Sequence, residues 1–146
     1  EVRVKWGLGL NLEQALGDDL GVFARISHAD GHTEVYAFTE IDHAVSAGAV
    51  LKGAAWGRPQ DAWGLGLARN GLSAAHRDYL AAGGLGFFIG DGALRYRPEQ
   101  VLETWYSWAV NPALWVSLDV QHIRHPAYNA DRGPATFSAL RVHTEF

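Results

Sequence analysis

The 146-residue chain has no cysteine, so disulfide bridges and thiolate chemistry are excluded. Lysine is nearly missing as well, with Lys5 and Lys52 only. No basic run occurs, and 16 acidic against 12 basic residues leave a formal charge of −4, which offers nothing to nucleic acid. There is no stretch of about eighteen apolar residues, so no transmembrane helix is expected. That last absence leaves membrane strands open. A strand crosses a bilayer with only about ten alternating residues, and hydropathy barely registers it.

What the chain does have is glycine, 17 residues of it, and aromatic rings, with 6 Trp, 5 Tyr and 6 Phe. Both suit β-structure, in membranes or in water. The order of residues says more. Val2, Val4, Trp6, Leu8, Leu10 and Leu12 alternate with Arg3, Lys5, Gly7, Gly9, Asn11 and Glu13, the period of two of a β-strand. This run exceeds the roughly five or six residues usual in soluble strands and matches the nine to eleven or so that cross a membrane at a tilt.

The same reading places a turn at Leu16–Asp19, a strand from Leu20 to Ala29 and a turn at Asp30-Gly31. One long strand is expected from Thr33 to Lys52, bulged near Gly48. Trp56–Asp61 makes a tight turn before a strand from Ala62 to Arg69. A long loop spans 71–98, within which Ser73 is expected to cap a short helix through Leu80. Strands follow at Gln100–Val110, from Leu114 onward, and from Ala135 to Phe146. The total is seven antiparallel strands, or eight if the long one is a hairpin broken near Asp42, in an all-β chain. Connections near residues 17, 58 and 111 are tight and those at 71–98 and 124–133 are long, with Asp30-Gly31 as the exception. Short turns at one rim and long loops at the other are the layout of a transmembrane β-barrel.

A soluble antiparallel barrel or sandwich would produce the same alternation. The polar face favours a wet lumen instead, because it mixes small residues with charges of both signs. Its candidate pore-lining residues are Arg25, Glu40, Arg69, Glu103, Trp105, Asp119, Gln121 and Arg141. Trp6, Tyr106, Trp108 and Phe146 are candidates for the lipid face or its interfacial belt. In the last strand Leu140, Val142, Thr144 and Phe146 point one way and Arg141, His143 and Glu145 the other.

No catalytic constellation stands out. Seven histidines are scattered without the companions that a metal site needs, so neither a metal nor a cofactor is expected. His76, Arg77 and Asp78 are neighbours in a helix and do not face one another. They are candidates for anchoring the long loop to the wall. The glycines at 83, 84, 86, 90 and 92 lack the spacing of a nucleotide fingerprint.

The segment from Asn70 to Gly92 resembles the carbohydrate-selective porins of the OprB type. So do Asp19–Arg25, Ala37–Asp42, Trp56-Gly57-Arg58-Pro59, Tyr96–Gln100 and Asn129–Pro134. The resemblance covers nearly the whole chain. It implies a sixteen-stranded barrel in the bacterial outer membrane that passively conducts monosaccharides and small oligosaccharides. Residues 1–146 would be its C-terminal portion, joined to N-terminal strands not contained in this chain. Outer-membrane lipid would surround it, and the barrel assembly machinery would engage its last strand. The lumen candidates Arg25, Glu40, Arg69, Glu103, Trp105, Asp119, Gln121 and Arg141 would then be sugar-contacting residues, and weak, repeated contacts would let solute leave as readily as it enters. Two other readings stay open: a segment that only completes the wall, and a soluble carbohydrate-binding β-module.

Overall fold

A computed structural model describes residues 4–33 and 40–146. Seven strands form one antiparallel sheet: β1 (Gly7–Leu16), β2 (Leu20–Ala29), β3 (His43–Lys52), β4 (Ala62–Gly71), β5 (Glu99–Asn111), β6 (Leu114–Arg124) and β7 (Ala135–Thr144). Their order in the sheet is their order in the chain, and β1 and β7 are its two edges. A single helix, α1 (Ala74–Ala81), interrupts the connection from β4 to β5. Ser73 caps it, its hydroxyl accepting a hydrogen bond from the His76 N–H. Strands of 10 to 13 residues, at about 3.3 Å per residue, are long enough to cross an apolar layer about 25 Å thick at a tilt.

The register sorts the side chains. On one face Leu10, Ile26 and Val45 lie in one row, and Leu67 pairs with Leu102 and Leu118 with Leu140. These residues are exposed: Leu10 by 68%, Leu67 by 55% and Leu140 by 71%. An uncovered apolar face of this extent needs an apolar neighbour. On the other face stand Asn11, Arg25 and Ser46, then Gly66, Glu103 and Gln121. The sheet is a single layer with an oily side and a polar side.

Two expectations about β3 require correction. The strand begins only at His43, and Glu40, Ile41 and Asp42 lie outside it; the part of the expected strand at 34–39 falls outside the described residues. The reason is that Glu40 and Asp42 are buried against the β4–β5 loop, 4% and 3% exposed. Residues 30–42 therefore lie between β2 and β3, and 34–39 among them fall outside the described residues. The β1–β2 and β5–β6 turns at one rim are tight, and the β4–β5 loop at the other is the longest connection among the described residues. Nor is there a bulge at Gly48, whose pairing with Phe23 and Gly66 is regular. Glycine serves close approach there, since a Cβ would stand 2.5 Å from the Phe23 ring. The sheet's irregularity falls in β5, between Ala109 and Asn111.

The buried apolar core among the described residues is not in the sheet. Leu72, Leu80 and Tyr128 form it at the long-loop rim, with Ile89, Leu94 and Tyr96 packed around them. Polar contacts tie the loops together. The Tyr128 hydroxyl donates to the Glu40 carbonyl at 2.7 Å, and the Glu99 carboxylate accepts from Asn70 and from the Ala127 N–H at 3.1 Å each.

At the short-turn rim a second knot closes the β3–β4 connection. Asp61 is 2% exposed. Its carboxylate accepts from the Arg58 guanidinium, the Tyr106 hydroxyl at 2.5 Å and the Ala109 N–H at 2.8 Å. The Arg58 hydrogen bond, with those from Tyr106 and Ala109, holds the carboxyl down at about 2 against the opposing effect of burial. Asp61→Ala is expected to cost about 1–3 kcal/mol, because it leaves the Tyr106 hydroxyl and the Ala109 N–H without their acceptor. The folded value lies below the ordinary 3.8, so the wild-type advantage is present above pH 3.8 and fades as pH falls toward 2. Unfolding in denaturant at pH 7 and at pH 2 would measure both effects.

Candidate functional site

On the polar face β5, β6 and β7 bring five of the candidate residues together. Glu103 pairs with Gln121, Trp105 with Asp119, and Ser117 with both Ser107 and Arg141. Alternation puts these side chains on one face of adjacent strands, where cross-strand neighbours lie about 5 Å apart. They line a concave pocket of about 520 Å³. Carboxylates accept hydrogen bonds, Arg141 donates them, and the two serines do both, their hydroxyls 3.1 Å apart. Trp105 adds a flat apolar surface. A small solute with several hydroxyls and an apolar ring face meets complementary groups here.

Trp105 sits as it does because of a glycine. Its cross-strand partner is Gly64, and a Cβ at that position would stand 2.1 Å from the indole. The ring therefore lies across the β4 backbone. Gly66, one step along the same face, has nothing within 4 Å of a Cβ position.

The other candidates are placed elsewhere. Arg25 is on the polar face of β2, 3.1 Å from Glu13 and with its guanidinium 5.4 Å from the Phe23 ring centroid. Arg69 is on the opposite, apolar face, in one row with Val45 and Gln100. This corrects its assignment to the lumen. Arg69 shares the parity of Trp63, Leu65 and Leu67, and the strand is regular through it. Glu40 belongs to no strand and lies beneath the long loop.

The buried Glu40 and Asp42 carboxylates face the helix of that loop. His76 of α1 stands between two carboxylates, with Nδ1 2.9 Å from Asp42 Oδ2 and Nε2 3.3 Å from Glu40 Oε2. The second contact is an ion pair without hydrogen-bond alignment, since Glu40 Oε2 has no hydrogen-bond partner among the described residues. Glu40 Oε1 accepts the Phe88 N–H at 3.0 Å, and Asp42 accepts the Ser73 N–H at 2.8 Å. The hydrogen bond to Asp42 raises the His76 imidazole above its ordinary value against burial. Burial alone would raise Asp42, but hydrogen bonds from His76 and Ser73 outweigh it and lower it. Arg77 packs its guanidinium 4.7 Å from the Tyr96 ring centroid. Asp78 is exposed and makes no side-chain hydrogen bond among the described residues, so the expected anchoring role does not extend to it.

Tyr106, Trp108 and Trp63 share the apolar face at the short-turn rim, Trp63 pairing with Tyr106. Trp56 in the adjoining turn donates to the Tyr106 hydroxyl at 3.1 Å. Trp6 is at the opposite rim, 5.9 Å from the His28 ring. Phe146 follows the end of β7 and is fully exposed. The chemistry of Asp61 was not legible as a site. Its only sequence signal is the Arg58-Pro59 turn three residues earlier.

Residues 1–146 match the family described as "Carbohydrate-selective porin, OprB family". Comparison with curated proteins finds no match. Among solved structures, the high-pH structure of Pseudomonas putida OprB has the same fold, with a TM-score of 0.71 at 23% identity over 97% of this chain. The chain spans 35% of the length of that protein.

Proposed function

Because this chain belongs to the carbohydrate-selective porins of the OprB family, whose members transport rather than catalyse, we propose that it builds a seven-stranded arc of a larger outer-membrane barrel. The observation that carries this reading is the sheet itself. It is one layer with an exposed apolar face, and its edge strands β1 and β7 are not paired with each other. Unpaired edges are untenable in lipid, so both edges join further strands. Its partners are then outer-membrane lipid on the apolar face, N-terminal barrel strands at the edges, and the assembly machinery at β7. A soluble carbohydrate-binding module would instead cover its oily face with a second layer.

A second reading, that this arc also contributes sugar selectivity, is supported by the pocket around Trp105. Opposed charges in one pocket suit neutral polyols better than a ring of one sign would, and shallow sites allow release. Arg25 adds a further polar contact along the face.

The two readings separate experimentally. The protein should fractionate with the outer membrane and need detergent, in a species well above the 15.9 kDa of this chain. Recovery as a soluble 15.9 kDa monomer would overturn the barrel reading. In planar bilayers, glucose should block the wild-type current. The paired variant Trp105→Ala, Asp119→Asn should weaken that block about tenfold while conductance persists. Unchanged block would leave the arc as wall alone.

A further inference from the structure

On the apolar face, charge and shape coincide at the long-loop rim. Apart from the Tyr106 phenol at the other rim, every ionisable side chain that the strands present to this face among the described residues is an arginine or a histidine. Arg69 and Arg124 flank Gln100 in one cross-strand row. His122 pairs with Leu102 one step inward, and His28 pairs with His43 one step outward. The strand carboxylates Glu13, Glu99, Glu103 and Asp119 all fall on the polar face. Neither Arg69 nor Arg124 has an acidic partner among the described residues, and both are exposed. Directly below them a groove of about 400 Å³ is floored by Ala47 and walled by Leu67 and Leu102. A paired strand separates the two arginines, which sets their backbones about 10 Å apart.

Arginine facing hydrocarbon is costly at mid-depth and tolerated near the interface. Position explains tolerance but not the sorting of signs. Two unpaired guanidiniums above an apolar groove match a molecule with an anionic head and an acyl chain. We propose that this row is a binding site for a phosphate-bearing lipid of the leaflet at the long-loop rim. Arg69 and Arg124 take the phosphate, Gln100 donates between them, and one acyl chain lies along Ala47. The inference rests on the barrel reading, since only that reading puts lipid against this face.

The test uses the full protein in detergent micelles with phosphatidic acid, with diacylglycerol of the same chains, and with inorganic phosphate. Wild type should bind phosphatidic acid and neither of the others. The paired variant Arg69→Gln, Arg124→Gln should lose about 25-fold in affinity, whereas Arg25→Gln on the other face should not. Ala47→Leu, which fills the groove without touching charge, should also weaken binding. Equal affinity for diacylglycerol, tight binding of inorganic phosphate, or indifference to the arginine pair would overturn the site. Failure of the wild type to insert into liposomes would overturn the barrel reading itself.

Discussion

His76→Ala is expected to undock the long loop. The substitution leaves Glu40 and Asp42, 1% and 2% exposed at their side chains, facing each other without their shared cation. Removing one partner from a buried ionic cluster costs on the order of 3 kcal/mol. Here the cost is local, because the sheet's hydrogen bonds do not pass through the helix. The strands should stay assembled while residues 72–98 become open to protease. The same latch responds to pH in wild type. His76 is raised above its ordinary 6.5, so its contribution is complete below that pH and is lost as pH climbs through the raised value. Asp42 is lowered below 3.8, so its contribution is complete above that value and is lost on acidification. Docking is therefore tightest from about pH 4 to 6.5. Amide exchange in α1 across pH 4 to 9 would follow it, and a loop equally protected at both ends of that range would rule the latch out.

The second large effect concerns two glycines in one strand. Gly64→Leu should expel the Trp105 ring, because its Cβ alone would come within 2.1 Å of the indole. Gly66→Leu should be tolerated, with open space at the equivalent position. Both residues sit on the polar face, so neither change burdens the lipid side. Tryptophan fluorescence should shift toward exposed values in the first variant only. Glucose block should weaken about tenfold with it, the worth of one aromatic stacking surface. If both variants block alike, Trp105 has no part in the sugar site.

Much of the fold was readable because a two-residue period is a local property. The strands, the helix cap at Ser73 and the long loop all follow from neighbouring residues. Trp105, Asp119 and Arg141 were readable as one face for the same reason. The misreadings have two different causes. Arg69 was placed by its charge although its parity with Leu65 and Leu67 already gave its face. Charge type does not decide orientation where a rim allows arginine to reach an interface. Glu40 and Asp42 were placed by alternation continuing upstream of His43. What removes them from the strand is His76, more than thirty positions later, and no local pattern carries that contact. The Asp61 knot was hidden for a similar reason, since its partner Tyr106 is supplied by another strand.

The order of the strands has a consequence for how such a wall comes into being. Each strand pairs with its immediate predecessor, so every inter-strand ladder closes across one turn or loop. Among these seven strands no ladder waits on a strand other than its neighbour in the chain, which keeps loop-closure entropy small at each step and favours stepwise zippering. A ribbon assembled in this way can gain or lose a hairpin at either margin without rethreading the rest. The circumference of the finished cylinder thus becomes a quantity that evolution can adjust two strands at a time.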